Sequence, residues 1–369
     1  MADTTRLQEL SDAGVSVWID SLSREMLDSG QLAALMADDS VVGVTSNPTI
    51  FQKALAEGDR YDEQLGEVAK TTDDETEIFF ALGMEDIREA CDLMRPVWER
   101  TAGVDGYVSL EVDPRLAYDR ERTFTQALRF SKEVDRANLY VKIPATEPGL
   151  GAIEDCIAKG VPINVTLIFS LERYAAVAEA YLRGLERLVA GGGDASKVLS
   201  VASFFVSRVD TEADKRLEEI GRSDLQGKLA IANARLAYEH YQEAFSGPRW
   251  EYLAGKGATP QRCLWASTST KNPEYRDVMY VEELIGPDTV NTMPLETVRA
   301  FADHGEVKEG SVSKGYDKAR KLIEELEAAG VSYDDVTDTL EAEGVQKFAD
   351  SFDDLLEGIR AKRGELATA

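Results

Sequence analysis

Histidine is nearly absent from this chain of 369 residues, which contains only His240 and His304. Catalytic triads and most zinc centres are built on imidazole groups, and neither histidine lies near a candidate nucleophile in the sequence. The sequence therefore argues against a Ser-His-Asp hydrolase and against a zinc-dependent aldolase, and we expect no metal site. A G-x-G-x-x-G turn after the first predicted strand is also missing, so a nucleotide site is not supported.

Cysteines are few, and no run of apolar residues approaches the length of a membrane span. Cys91, Cys156 and Cys263 lie far apart, which predicts buried packing rather than a disulfide framework or a zinc site. The first residues show no basic segment followed by an apolar one, so we expect a cytoplasmic protein without a membrane partner.

Basic residues are outnumbered by acidic ones. The chain has 41 lysines and arginines against 68 aspartates and glutamates, and its net charge of -27 repels nucleic acid. We therefore expect no nucleic-acid partner. A phosphorylated ligand would need a local basic pocket that works against this acidic field.

Eight short runs with strand-like composition recur along the chain, with amphipathic helical stretches between them. The runs cover residues 15–20, 41–47, 107–112, 138–144, 162–169, 197–205, 262–268 and 288–294. Strands that alternate with helices indicate an α/β fold with a parallel sheet, and eight repeats favour a closed (β/α)8 TIM barrel with additional helices. An open doubly wound sheet is the alternative.

We expect one barrel domain over residues 1–369, because no Pro/Ser-rich linker, tandem repeat or low-complexity segment divides the chain. The connections after the second and sixth strands are long, which predicts helical insertions there. The helical pattern of residues 332–363 predicts a C-terminal helical tail.

Residues 138–144 read NLYVKIP, an apolar strand with a lysine in the middle. Side chains alternate along a strand, so Leu139, Val141 and Ile143 share one face while Lys142 points to the other. A lysine is seldom buried without a partner, because desolvation of its ammonium group is costly. Lys142 therefore either pairs with a carboxylate as a structural centre or takes part in chemistry.

The same alternation places further polar side chains at the carboxyl ends of neighbouring strands, where barrel active sites gather. These residues are Asp20, Asn47, Glu111, Asn164, Thr166 and Ser203, with Arg208 just beyond the sixth strand. Such a set can transfer protons without histidine: a neutral lysine attacks a carbonyl and forms a Schiff base, and a carboxylate takes a hydroxyl proton. The concentration of polar groups favours chemistry over a purely structural ion pair.

Six motifs carry a family resemblance and span six of the eight predicted strands. They are WIDSLSR, GVTSNPTIF, SLEVDPRLAYD, YVKIPAT, PINVTLIFS and SVASFFVSRVD. On these motifs the chain resembles transaldolase, in the superfamily of class I Schiff-base aldolases. The resemblance implies a cofactor-free transferase of the non-oxidative pentose phosphate pathway, present as a monomer or homodimer. Its expected reaction moves dihydroxyacetone reversibly from sedoheptulose 7-phosphate to glyceraldehyde 3-phosphate, giving erythrose 4-phosphate and fructose 6-phosphate.

The resemblance also implies roles for the catalytic residues. Lys142 would form the Schiff base with the ketose carbonyl, and Asp20 would be the acid/base that removes the hydroxyl proton during cleavage. Glu111 and Thr166 would hold a catalytic water that carries protons during imine formation.

Substrate-binding roles follow from the same resemblance. Asn47 and Asn164 would hydrogen-bond the three-carbon dihydroxyacetone unit, and Ser203 and Arg208 would hold the phosphate, for which a guanidinium fork is suited.

The seventh strand departs from the commonest bacterial pattern. The chain reads WASTSTKNPEY where a short turn with a second phosphate-binding arginine is expected. Ser267 and Lys271 are therefore the candidates for this part of the phosphate pocket. The longer segment resembles the long bacterial transaldolase branch, although the chain is too short for the isomerase domain to which some members are fused.

The nearest alternative is a fructose 6-phosphate aldolase, which shares the barrel and the lysine but releases free dihydroxyacetone. Those enzymes tend to have Gln in place of Glu111 and Tyr in place of Phe205, so we place Phe205 among the substrate-binding residues and favour transfer. A catalytically silent barrel with a binding role is the alternative from another class. Asp20, Glu111 and Lys142 together argue against it.

Overall fold

The computed structural model describes residues 4–56 and 58–366. Its strands are β1 (Val15–Asp20), β2 (Val41–Thr45), β3 (Val108–Glu111), β4 (Leu139–Pro144), β5 (Ile163–Ile168), β6 (Ser200–Phe205), β7 (Arg262–Ala266) and β8 (Thr289–Met293). They form a closed parallel barrel in sequence order, and β8 pairs with β1. The predicted (β/α)8 barrel is confirmed, and each strand lies within its predicted run.

Helices surround the barrel and occupy the long connections. They are α1 (Arg6–Asp12), α2 (Arg24–Asp28), α3 (Gln31–Asp38), α4 (Pro48–Ala56), α5 (Asp62–Val68), α6 (Glu75–Arg100), α7 (Arg120–Val134), α8 (Glu147–Ala158), α9 (Leu171–Ala190), α10 (Ser207–Glu219), α11 (Leu229–Ala244), α12 (Gly247–Ala254), α13 (Met279–Glu282), α14 (Leu295–His304), α15 (Tyr316–Ala329) and α16 (Tyr333–Leu366). In the described ranges no helix combines the length and the apolar character needed to cross a bilayer. The three cysteines are buried and unpaired, as predicted.

Side-chain caps begin the helices that follow the central strands. The hydroxyl of Thr146, just after β4, accepts a hydrogen bond from the backbone N–H of Gly149 (3.1 Å). The hydroxyl of Ser170 after β5 accepts one from the N–H of Arg173 (3.0 Å). Each cap satisfies an N–H group that has no partner within its helix. The caps therefore fix where the chain turns at the carboxyl ends of β4 and β5.

A buried ion pair fills the opposite, amino-terminal end of the barrel. Arg262 donates hydrogen bonds to Asp105 Oδ1 (3.0 Å) and to Ser16 Oγ (2.8 Å). The Trp18 indole N–H donates to the same carboxylate (3.2 Å), and Trp18 packs inside the barrel. A Cβ atom on Gly43 would come within 2.4 Å of the Trp18 ring, which explains the glycine there. This end is closed by packed side chains.

Removal of one partner of this ion pair tests its contribution to stability. The variant Asp105→Ala leaves the buried guanidinium of Arg262 uncompensated, and we expect the free energy of unfolding to fall by about 3–5 kcal/mol. Denaturant unfolding followed by circular dichroism measures this change. The double variant Asp105→Leu, Arg262→Met removes both charges and should recover much of the loss. Equal stability of Asp105→Ala and the unaltered protein would contradict the structural role of the pair.

Candidate active site

A cavity of about 270 Å³ opens at the carboxyl ends of the strands; we call it the mouth cavity. The predicted site residues that line it are Asp20, Asn47, Lys142, Thr166, Ser203, Phe205, Arg208, Ser267 and Lys271. Glu111 and Asn164 are the two predicted residues that do not line it. Nine side chains from separate parts of the sequence therefore meet in one place.

Lys142 lies at the centre of this arrangement. It is about 5% exposed, and its Nζ lies 3.2 Å from Glu111 Oε2 and donates a hydrogen bond to the carbonyl of Ser46 (3.1 Å). The strand register places Glu111 beside Lys142 and Lys142 beside Asn164, so three polar side chains form one row across β3, β4 and β5. Lys142 thus has the carboxylate partner expected of a structural centre and also faces the mouth cavity.

Asp20, the last residue of β1, is the second carboxylate of the site. Its Oδ1 accepts a hydrogen bond from the hydroxyl of Thr45 (2.7 Å), which is also 2.6 Å from the hydroxyl of Thr292. Burial raises the pKa of Asp20, and the charge of Lys142 and the Thr45 hydrogen bond partly offset this effect. Burial likewise raises the pKa of Glu111, again partly offset by Lys142. Both carboxyl groups therefore exchange protons at a higher pH than ordinary carboxyl groups do.

A hydrogen-bonded row lies beneath the mouth cavity. The side chain of Asn164 donates to Ser109 Oγ (3.1 Å) and accepts from the hydroxyl of Ser203 (2.7 Å). By contrast, Thr166 Oγ1 is buried and makes no hydrogen bond within the described ranges, and Glu111 Oε2 is buried with the ion-pair contact to Lys142 Nζ (3.2 Å) as its polar contact there. Buried hydroxyl and carboxylate oxygens are normally hydrogen-bonded. These two oxygens are therefore the atoms of the site best able to bind a further polar group.

The far end of the mouth cavity is basic. Arg208, the second residue of α10, stacks over the ring of Phe205 with its Cζ 5.2 Å from the ring centre. In the part of the chain that the structure describes, Arg208 has no hydrogen bond or ion pair. Burial lowers its pKa, while the charges of Asp20 and Glu343 oppose that effect. A largely buried guanidinium group without such a partner, close to the first turn of a helix, suits an anion.

The segment after β7 adds two polar side chains to this basic end. Ser267 has a φ of +55°, and its hydroxyl lies 2.8 Å from that of Ser207, the first residue of α10. Lys271 is exposed, and its ammonium donates to the hydroxyl of Ser269 (2.7 Å). The backbone N–H of Ser207 also donates to the carbonyl of Ser267 (3.0 Å), so the start of this segment is held beside the first turn of α10.

Several residues of the mouth cavity were not predicted. They are Thr45, Thr49, Ile50, Lys53, Ala266, Ser269, Thr292, Pro294 and Phe348. Thr292 could have been found by alternation along β8, where it lies in register with Trp18 of β1 and 2.6 Å from the hydroxyl of Thr45. Lys53 on α4 and Phe348 on α16 gave no such signal, because the sequence does not reveal which helix face meets the barrel mouth.

Neither histidine lines the mouth cavity. His240 packs edge-on against Tyr174, with ring centres 5.7 Å apart. His304 is exposed, and its ring nitrogens lie 2.8 Å from Asp277 and 3.1 Å from Asp303. The site therefore depends on lysine, carboxyl and hydroxyl groups for any proton transfer.

A lysine and two carboxyl groups at the carboxyl ends of the strands of a (β/α)8 barrel are typical of a class I aldolase, an enzyme that forms a Schiff base with its substrate. The family model described as Transaldolase/Fructose-6-phosphate aldolase matches residues 17–359. The chain is 55% identical over 365 residues to the transaldolase of Frankia alni, with 98% of each chain covered. It is 56% identical over 356 residues to that of Thermobifida fusca, covering 96% of this chain and 97% of the relative.

The chain therefore belongs to the transaldolase family, and its function is that of a transaldolase, a transferase enzyme. Family membership implies that its substrates are sugar phosphates.

The pH dependence of activity should follow the Thr45 to Asp20 hydrogen bond. This bond favours the ionised form of Asp20, so Thr45→Val should raise the pKa of Asp20 further. Activity that needs ionised Asp20 would then be lost at a higher pH as the solution is acidified. Profiles of kcat/KM against pH measure the shift, and Thr45→Ser, which keeps the hydroxyl, should restore the original acid limb. An acid limb that does not move in Thr45→Val would exclude this coupling.

Proposed function

We propose that this enzyme transfers dihydroxyacetone reversibly from sedoheptulose 7-phosphate to glyceraldehyde 3-phosphate through a Schiff base on Lys142. The observation that carries the proposal is the position of Lys142, which faces the mouth cavity while its Nζ lies 3.2 Å from a carboxylate. A buried ammonium group can attack a carbonyl only after it loses a proton, and Glu111 is placed to accept one.

Cleavage of the ketose follows in two steps. The neutral amine of Lys142 adds to the ketose carbonyl carbon, and loss of water gives a protonated imine. Asp20 then takes the proton of the hydroxyl group on the fourth carbon, and the bond between the third and fourth carbons breaks. The electron pair moves onto the imine nitrogen, which leaves an enamine on Lys142 and releases the aldose phosphate.

Transfer repeats the cleavage steps in reverse, with a different aldehyde as the reactant. The enamine carbon attacks the aldehyde carbon of the acceptor, and Asp20 returns its proton to the new hydroxyl group. Water then hydrolyses the imine and frees the ketose product. Thr166 Oγ1 is buried and has no hydrogen bond in the described ranges, and Glu111 Oε2 lies beside Lys142 Nζ, which supports a role for these two residues in holding that water.

Asn47 and Asn164 are suited to the hydroxyl groups of the three-carbon unit. Asn47 Oδ1 accepts from the backbone N–H of Ile50 (3.0 Å), which fixes the amide and leaves its NH2 group for the substrate. Asn164 keeps one N–H after its bond to Ser109, and Ser203 fixes its orientation. We propose that both amides donate to substrate hydroxyl groups, with Asn164 acting from beneath the cavity.

The phosphate is proposed to bind at the basic end of the mouth cavity. Arg208 provides a guanidinium fork without a hydrogen-bonding or ion-pair partner among the described residues, and Ser203 and Ser267 provide hydroxyl groups. Lys271 adds a second positive charge, and Phe205 supports the guanidinium plane.

We propose that the enzyme acts as a monomer or a homodimer, as the family resemblance implies. We also propose that the chain is one barrel domain, because almost all of its buried apolar residues belong to one continuous cluster. Phosphorylated sugars are metabolised in the cytoplasm, and we propose that the enzyme acts there.

Trapping of the covalent intermediate tests the role of Lys142. Borohydride added to the enzyme with fructose 6-phosphate and no acceptor should reduce the imine and leave a single three-carbon adduct on Lys142. Intact mass and peptide mapping detect it. Lys142→Ala should give no adduct, and its melting temperature shows whether it is folded. An adduct on another lysine, or full turnover by folded Lys142→Ala, would contradict the mechanism.

Arg208 should act on the phosphate group. In Arg208→Ala the loss of hydrogen bonds to a charged group, worth about 1.5–3 kcal/mol, should raise KM for phosphorylated sugars by roughly 10- to 100-fold. Steady-state kinetics with glyceraldehyde 3-phosphate and with unphosphorylated glyceraldehyde as acceptors measure the effect. KM for the unphosphorylated acceptor should change little. An equal effect on both acceptors would remove Arg208 from phosphate recognition.

A further inference from the structure

We propose that Phe348 on α16 is a specificity-determining residue, which shields the enamine carbon from water and so commits the three-carbon unit to an aldehyde acceptor. The inference rests on the proposed Schiff-base mechanism of Lys142. It concerns a residue about 200 positions away in the chain, outside every motif on which the family resemblance depends.

Phe348 belongs to the mouth cavity. Its ring lines the cavity and is about 5% exposed, and the ring centre lies 5.9 Å from Lys142 Nζ. The enamine carbon would lie two bonds from that nitrogen, within the same cavity. An aromatic ring at this distance is therefore close enough to contact a three-carbon unit held on Lys142, and it can neither donate nor accept a proton.

The position of Phe348 is fixed by contacts of α16 on both sides of it. One turn beyond, Ser351 Oγ lies 2.8 Å from the hydroxyl of Thr49 on α4. Two turns before it, Glu341 forms an ion pair with Arg173 (3.1 Å). Between them a Cβ atom on Gly344 would come within 3.2 Å of Leu167, so the glycine allows the helix to approach the end of β5.

Phe352, one turn after Phe348, packs away from the mouth cavity. Its ring centre lies 5.3 Å from that of Phe79, and the guanidinium of Arg115 stacks over it at 4.8 Å. Two aromatic residues on one helix therefore have different surroundings: Phe352 attaches α16 to α6, whereas Phe348 faces the reacting groups.

The enamine can react in two ways, and we infer that Phe348 determines which reaction is favoured. Attack on an aldehyde carbon forms the new C–C bond of transfer. Protonation of the enamine carbon instead gives the imine of dihydroxyacetone; water adds to its imine carbon, the C–N bond breaks, and free dihydroxyacetone leaves while the amine of Lys142 is restored. The net reaction converts one ketose phosphate into one aldose phosphate and one dihydroxyacetone, with the water released at imine formation consumed again.

Only the second fate needs a proton from solvent at the carbon atom. Hydrolysis of a finished ketose imine uses the water proposed between Glu111 and Thr166, which is a different position. An apolar ring over the enamine suppresses protonation by excluding water from the reactive intermediate. The phosphate of the acceptor is proposed to bind at Arg208, which lines the same cavity.

The test is the rate at which fructose 6-phosphate alone releases free dihydroxyacetone in deuterated water, compared with the rate of transfer. We expect Phe348→Ala to raise the ratio of release to transfer by on the order of tenfold, with deuterium in the released dihydroxyacetone. Phe348→Leu keeps an apolar side chain, so its ratio of release to transfer should lie between those of Phe348→Ala and the unaltered protein. Phe130→Ala, a truncation of a buried phenylalanine on α7, is the matched control for a general loss of stability.

Borohydride trapping in the same samples separates this inference from the mechanism on which it rests. An adduct in Phe348→Ala or Phe348→Leu with an unchanged ratio would overturn the role of Phe348 and leave the Schiff base intact. An equal rise in Phe130→Ala would also overturn it, because loosening of the fold would then be the cause. Absence of an adduct in the unaltered protein would overturn the mechanism, and the inference with it.

Discussion

The buried pair of Lys142 and Glu111 is the interaction on which the mouth of the barrel depends. An ammonium group in the interior is tolerated only with a compensating carboxylate, and removal of either partner leaves the other buried and uncompensated. The β3–β4 register places the two residues side by side, so the barrel itself determines their separation of 3.2 Å. At that distance a proton can pass directly from the lysine to the carboxylate. The same contact that makes the lysine structurally acceptable also prepares it to attack a carbonyl.

Much of this arrangement could be predicted from the sequence, because period-two alternation decides which side chains enter the barrel. Lys142, Glu111 and Asn164 were assigned to one face on that rule, and the register across three strands places them in one row. The alternation rule does not show how far an inward-facing side chain lies from the opening of the cavity. Asn164 lies beneath the mouth cavity, where Ser109 and Ser203 hydrogen-bond its amide.

Residues supplied by helices could not be predicted in the same way. Lys53 and Phe348 lie on amphipathic helices whose sequences show an apolar face but not the surface that it covers. Phe348 reaches the cavity because Gly344 permits a close approach of α16 to β5, and that contact joins segments far apart in the chain. Such docking is decided by tertiary packing. The prediction therefore included most of the strand residues that line the mouth cavity, although not Thr45, Ala266 and Thr292, and it missed Lys53 and Phe348.

The basic end of the cavity resolves the conflict between an acidic protein and an anionic substrate. Charges on the surface are screened over about 8 Å at physiological ionic strength, so a net charge of -27 matters less at the cavity than the few groups that line it. Hydrogen bonds hold these groups in a fixed relation. Tyr275 donates to Asp214 (2.6 Å) and Tyr280 to Asp210 (2.8 Å), and both aspartates lie on α10, the helix that carries Arg208.

These bonds attach the segment with Lys271 to the helix that presents the guanidinium group. Burial raises the pKa of Asp210 to about 7, and its hydrogen bond from Tyr280 partly offsets this effect. In the proposed orientation of the substrate, strand residues bind the three-carbon end, and a helix and a connecting segment bind the phosphate end. In the proposed mechanism donor and acceptor both carry a phosphate, and they use the same basic end in turn while the strand residues retain the transferred unit. Transfer therefore requires that Lys142 hold its intermediate while the basic end exchanges one aldose phosphate for another.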